Sequence, residues 1–355
     1  MTKFESAARE FLAGATAASP RAFLVSILLG VMILASLEVA LSRGLLWRLE
    51  PGWLLSTPYD DWTHAMWAVN QLSESSDVIP LYLIGGSGSR EAVISNESVE
   101  QALAAGSTKK YRFLNLGTRN QTFFEAIILI ENLPDTKSGM IIFGLTPHFF
   151  TDGISEAQTA VYGTRFPLYS HTLVRALDAM GVLDHAVLPI NVMRYRAMFA
   201  NYLNKRIAGK TFFEKLSYRN HLYEGLPPKR GDELREWFNL IRSDMIKYPH
   251  HAILNFEMLE IAIELAQRKG YEVLLVDLPR NPVGEEPLYG PILDSYNENI
   301  GILAESRTVE HIDMHAQYQF PQSYFYDHLH QIDSARVIFQ GKFVELILEK
   351  MDTKL

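Results

Sequence analysis

The sequence predicts an α/β fold. It reads as a flavodoxin-like three-layer sandwich with a five-stranded parallel sheet, one N-terminal transmembrane helix and a helical insertion. Three observations predict this. Short apolar, β-branched runs alternate with amphipathic segments, the pattern of strands covered on both faces by helices. Five such runs occur, at 81–84, 111–116, 140–145, 272–278 and 309–314. Finally, residues 22–41 carry one charge only, Glu38, and twenty helical residues span about 30 Å, the thickness of a hydrocarbon core.

From the N-terminus, residues 1–21 read as a cytoplasmic, amphipathic segment and 22–42 as the membrane span. Arg21 on one side and Arg43 with Arg48 on the other bracket it, and Trp47 and Trp53 stand where an interfacial aromatic belt would lie. A cleaved secretory signal is the competing reading, but the apolar stretch is long for one. Lys3, Arg9 and Arg21 precede the span and Arg43 and Arg48 follow it, so the charge bias for orientation is weak. The orientation adopted leaves the chain single-pass in an inner, cytoplasmic membrane with its main domain periplasmic or otherwise extracytoplasmic.

Residues 43–79 read as a juxtamembrane connector with a short helix at 62–72, and 80–355 as the main domain. Helical segments are expected at 120–132, 252–269, 291–306 and 334–350. The third of the strand–helix units ends at Gly270, a residue suited to a helix C-cap. The stretch of about 150–250 breaks the alternation. It is rich in aromatic and basic residues, with helices expected at 170–180 and 231–248 and an ambiguous piece around Arg194, Arg196, Lys205 and Arg206. It reads as an insertion between the third and fourth strands, either a cap over a site or a surface for a partner.

Composition narrows the chemistry. The 355 residues carry a net charge of −8, which argues against a nucleic acid partner, because neutralising phosphates needs a basic face. With no cysteine, thiol catalysis, disulfides and cysteine metal sites are excluded.

The first strand stops at Gly85-Gly86-Ser87-Gly88-Ser89. Such a turn sets a hydroxyl at the carboxyl edge of a sheet, where open α/β folds bind ligands. Near the other end stands Asp327-His328-Leu329-His330. A serine hydroxyl needs a base within hydrogen-bond reach and a third group to orient that base. His330 and Asp327 supply both from one loop; His328, directly after the acid, should point away. A simple glycine turn without chemistry is the competing reading. Other glycine motifs fit poorly. A dinucleotide fingerprint would need glycine at Glu91, a P-loop would need a following Gly-Lys-Ser/Thr, and a hydrolase elbow would need glycine at Ser89.

Taken together, Gly85-Gly86-Ser87, Asn115-Leu116-Gly117, Gly144-Leu145-Thr146 and Asp327-x-x-His330 resemble the blocks of the SGNH (GDSL-like) hydrolase superfamily. The resemblance implies Ser87 as nucleophile, His330 as base, Asp327 as its orienter, and an oxyanion hole from the serine N–H and Gly117. It covers about 200 of the 355 residues, and each block is short. The layout is also similar to single-span members that O-acylate cell-surface polymers beside a multi-span acyl-transferring membrane protein.

The chain departs from that pattern at Thr146, which stands where the superfamily has an asparagine. A threonine donor reaches less far, and losing one oxyanion donor typically costs about 3 kcal/mol in the transition state. Asn120, in the following loop, is a possible replacement. The departure leaves open a slow or inactive site.

Arg90 and Arg280 lie after the first and fourth strands and are candidate substrate contacts, against the commoner reading as salt-bridged residues. His311, Asp313 and His315 alternate along one segment, but ordinary edge positions explain them better than a metal. Phe149, Phe150, Tyr324, Phe325 and Tyr326 flank the site loops as packing residues or an acyl or sugar platform. The resulting expectation is a serine O-acyltransferase or esterase acting on an extracytoplasmic glycan or acylated polymer. It needs no metal or nucleotide cofactor, binds no nucleic acid, and has a multi-span membrane acyltransferase or other membrane-complex subunit as partner. The alternative is a catalytically weak or inactive subunit that binds or scaffolds within such a complex.

Overall fold

The computed structural model describes residues 20–72, 77–183, 187 and 189–352. The cytoplasmic segment read at 1–21, with Lys3 and Arg9, therefore lies almost wholly outside the described residues.

Five strands form one sheet: β1 (Ile79–Gly85), β2 (Tyr111–Asn115), β3 (Gly139–Leu145), β4 (Tyr271–Asp277) and β5 (Glu310–Asp313). All pairings are parallel and the order is β2-β1-β3-β4-β5, the flavodoxin-like order expected from the sequence. The chain leaves β1 toward one edge and returns to build β3 on the other side. The carboxyl ends of β1 and β3 thus flank a topological switch point, the place where open α/β folds bind ligands.

The helices, in chain order, are α1 (Pro20–Ser42), α2 (Asp61–Asn70), α3 (Asn96–Gly106), α4 (Phe123–Glu131), α5 (Ile154–Val161), α6 (His171–Ala179), α7 (Asn191–Ala208), α8 (Gly231–Met245), α9 (Tyr248–Arg268), α10 (Gly290–Arg307) and α11 (Asp333–Asp352). Period-two alternation along the strands sorts side chains between two cores. Leu81, Leu83, Phe113, Ile142 and Val276 pack with Val99 and Leu103 of α3 and Phe339 and Phe343 of α11. Tyr82, Ile84, Ile141, Phe143 and Leu275 pack on the other side with α4, α9 and α10. Helix α4 is buried from Phe123 to Ile130, consistent with an element apolar all round and sandwiched between the sheet and the insertion.

Helix boundaries follow caps more than periodicity. Expected from 120, α4 starts at Phe123 because Thr122 caps it in a reciprocal box with Glu125, while Asn120 sits at φ 50° in the turn before. Asp60 caps α2 by accepting from Thr63 N–H. Helix α3, which the sequence reading left out, opens on a Ser95–Ser98 capping box. The ambiguous piece of the insertion is α7. Its basic residues mislead a polarity-based reading because two of them face inward. Arg194 donates to the carbonyls of Pro167 (2.7 Å) and Val161 (2.8 Å), and to that of Leu168. Arg206, with no exposed surface, donates to the carbonyls of Leu55, Thr211, Glu214 and Gly52.

Helix α1 is long and apolar enough to cross a membrane, and almost none of it is buried in the protein. Its last turns join the fold. Glu38 accepts from Asn191 N–H (3.0 Å), Asn191 Nδ2 (2.9 Å) and Val192 N–H (2.8 Å), so α1 supplies the N-terminal cap of α7. Leu41 is buried, and Trp47 Nε1 donates to Tyr195 Oη (2.9 Å).

Candidate active site

The serine turn is built around close backbone approach. Gly85 and Gly144 are register partners across β1 and β3. A Cβ at either would come within 2.2 Å of Ser89 Oγ. Their missing side chains leave room for that hydroxyl, which donates to Gly144 O (3.0 Å). Ser89 is therefore a fully buried staple that fixes the turn after β1. Ser87 starts the single helical turn Ser87–Arg90 and is half-buried.

The Asp327–His330 loop lies against this turn. A Cβ at Gly88 would fall 3.0 Å from Leu329 Cδ1, so the residue after Ser87 touches the residue before His330. Arg336 of α11 donates from Nε to Glu91 O (2.8 Å), tying the end of the serine turn to the last helix. Within the loop, Asp327 Oδ2 accepts from His330 Nδ1 (2.8 Å), and Asp327 Oδ1 accepts from the N–H groups of Leu329 and His330 (3.0 Å each). Asn281, after β4, donates from Nδ2 to Asp327 O (2.7 Å) and from N–H to His328 O (2.9 Å).

Electrostatics follow the geometry. Burial would raise the Asp327 carboxyl, but His330 and His328 outweigh it and hold its pKa well below the ordinary carboxylate range. Burial pulls the His330 imidazole down, yet the Asp327 carboxylate and, further off, Glu91 hold it above the usual 6.5. With Nδ1 donating to Asp327, Nε2 is the free nitrogen of neutral His330. It is buried and has no hydrogen-bond partner among the described residues, so the Ser87 hydroxyl is not bonded to it in this state.

The other expected donors are placed differently. Gly117 N–H donates to Asn115 Oδ1 (3.0 Å), and Asn115 Nδ2 donates to the carbonyls of Ser89 and Arg90. Gly117 is thus a point of contact with the serine turn: a Cβ there would lie 2.7 Å from Arg90 N. Its N–H, expected as an oxyanion donor, is engaged by Asn115 in this state. Thr146 is buried at the end of β3. Asn120 is exposed, and only its backbone carbonyl is engaged, by Arg165 Nη1 (2.6 Å).

Neither arginine lies open to a substrate. Arg90 has no exposed surface; Nε is 3.6 Å from Asp61 Oδ2 and Nη1 3.5 Å from Glu91 Oε1. Arg280 is 2% exposed, with Nη2 3.4 Å from Glu285 and its guanidinium 5.5 Å from the Tyr289 ring centroid. Of the alternating histidines, His311 meets Asp277 (3.2 Å) and His315 meets Glu285 (2.9 Å), while Asp313 caps the following turn. Each is engaged with a separate partner. Phe149 and Phe150 pack on Phe123, whereas Tyr326 belongs to the site.

The insertion supplies residues that the sequence reading did not single out. Tyr223 lies 4.5 Å, centroid to centroid, from both Tyr326 and His330, covering the imidazole. Asn220 donates to Arg90 O (2.9 Å) and Leu222 N–H to Glu91 Oε1 (3.1 Å), fastening this strap to the serine turn. From α8, Trp237 Nε1 donates to His328 Nδ1 (3.0 Å). Lys229 Nζ lies 5.1 Å from the Tyr326 ring centroid and 5.4 Å from that of Trp237. No local pattern announces these residues, because they reach the site from more than ninety positions away.

No family model matches the chain, and no curated protein does. Among solved structures, a Bacteroides fragilis protein provisionally described as an acylhydrolase is 10% identical, with 80% of this chain and 93% of that one covered at a TM-score of 0.38. A GDSL-like lipase of Bacteroides thetaiotaomicron is also 10% identical, with 82% and 98% covered at a TM-score of 0.39.

Proposed function

We propose that this chain is a membrane-anchored, serine-dependent esterase or O-acyltransferase of SGNH type, acting on an acylated glycan or polymer outside the cytoplasm. The observation that carries the reading is the Asp327–His330 bond in a loop that touches the residue after Ser87. Ser87 Oγ attacks the acyl carbonyl carbon and forms a C–O bond, while His330 Nε2 takes the hydroxyl proton. The tetrahedral intermediate then breaks its bond to the leaving oxygen, which recovers that proton from His330. An acyl-enzyme remains on Ser87. Water releases it in an esterase, and a sugar hydroxyl takes the acyl group in a transferase, again with His330 moving the proton.

The anchor fits this reading. Because Glu38 caps α7, the apolar helix is tied into the domain rather than appended to it. A multi-span membrane protein is the partner that would deliver an acyl group to such a site. Fluorophosphonate labelling of the full chain tests the proposal. A covalent adduct in the wild type, lost in Ser87→Ala and His330→Ala, supports it; an unlabelled wild type opposes it.

One observation favours a second reading, a catalytically weak or inactive subunit. His330 Nε2 is buried beneath Tyr223 with no hydrogen-bond partner among the described residues. If the strap keeps the site shut, the wild type labels poorly and Tyr223→Ala labels well. If the site is inactive, both remain unlabelled, and Ser87→Ala leaves the biological output intact.

A further inference from the structure

His328 is one of several buried side chains around the site that carry an unpartnered nitrogen. It is 3% exposed, and its Nε2 has no hydrogen-bond partner among the described residues. Trp237 fixes which nitrogen carries the proton. An indole N–H can only donate, so His328 Nδ1 must accept at 3.0 Å. Asp327 Oδ1 is 3.5 Å from the same nitrogen, too far to compete as a hydrogen bond. Burial holds the His328 pKa below the usual 6.5, with Asp327 opposing in part, so the ring is neutral near pH 7 and its single N–H is on Nε2. A buried, unsatisfied N–H is costly, and such groups in native proteins call for an explanation.

Position supplies one. The His148 ring, two residues beyond Thr146, meets the His328 ring edge to face at 5.9 Å. His328 therefore stands at the end of β3, beside the position where the resemblance calls for an asparagine donor. The His328 and His330 rings are perpendicular neighbours, 6.1 Å apart between centroids. Gly117 N–H is occupied, Asn120 is exposed and Thr146 reaches less far.

Resting on the proposed role of Ser87 and His330, we infer that His328 completes the oxyanion hole, donating Nε2–H to the acyl oxygen as charge develops on it, with Trp237 as the positioning residue that holds this tautomer. Two measurements on the full chain in detergent test this: turnover of p-nitrophenyl acetate, and ¹⁵N-histidine NMR. His328→Ala lowers kcat about 100-fold with KM little changed. His328→Gln, which keeps a side-chain N–H, recovers much of the loss. Trp237→Phe lowers kcat and moves the His328 proton from Nε2 toward Nδ1, a spectroscopic change that lost packing alone would not cause. Unchanged kcat in His328→Ala, or an Nδ1–H tautomer in the wild type, overturns the inference. If that happens while Ser87→Ala abolishes turnover and labelling, the serine reading stands. A wild type that neither turns over nor labels removes the serine reading and this inference with it.

Discussion

At the residue scale, the site depends on atoms that are absent as much as on those present. Gly85 and Gly144 make room for Ser89 Oγ. Gly144→Ala would force the staple out of the turn, and overpacking of this kind costs about 1–3 kcal/mol. The expected outcome is a lower unfolding midpoint together with lost phosphonate labelling; retention of both would show that the turn tolerates the shift. His330 sets the pH dependence. Only the neutral imidazole can accept the serine proton, and its pKa is held above 6.5 by Asp327 after burial has pulled it down. The rate kcat/KM should therefore fall as pH drops through a value above 6.5, and an acid limb centred below that value would contradict the assignment. Asp327 and His330 were legible in the sequence because their relation is local, three positions apart. That Asn115, two residues earlier, accepts from Gly117 N–H was not legible in the sequence.

At the element scale, the insertion reaches the candidate site. Residues from Asn220 to Leu222 fasten it to the serine turn, Tyr223 covers the His330 ring and Trp237 donates to His328. The sequence showed that the segment interrupts the sheet, but not which side chains turn inward. Arg194 and Arg206 look like surface cations until the carbonyls they satisfy are seen. Helix α7 depends on the anchor in the same way. Glu38 serves the first N–H groups of α7, and losing such a cap costs about 1 kcal/mol. Glu38→Ala should lower the thermal midpoint in detergent by a few degrees, with Glu38→Gln less affected. An unchanged midpoint would show that α7 is capped otherwise in solution.

At the scale of the whole molecule, one sheet positions the candidate site and one apolar helix, α1, extends from the fold. The strand order was legible because each strand is a short apolar run with helical segments between, and chain connectivity then leaves few arrangements. The length and apolarity of α1 were legible in its sequence. Its cap on α7 was not, because Glu38 and Asn191 are far apart in sequence. The full chain should stay with membranes through alkaline carbonate extraction, and a chain beginning after Ser42 should be released. Extraction of the full chain would contradict the anchor.

The claim beneath all of this is that Ser87 carries the acyl group with His330 as its base. Mixing the full chain with p-nitrophenyl acetate, quenching within milliseconds and mapping the peptides by mass tests it most directly. The account predicts one acetyl group on Ser87, absent in Ser87→Ala and strongly reduced in His330→Ala. Acetylation at another residue, or none in a wild type that still hydrolyses the ester, would contradict it.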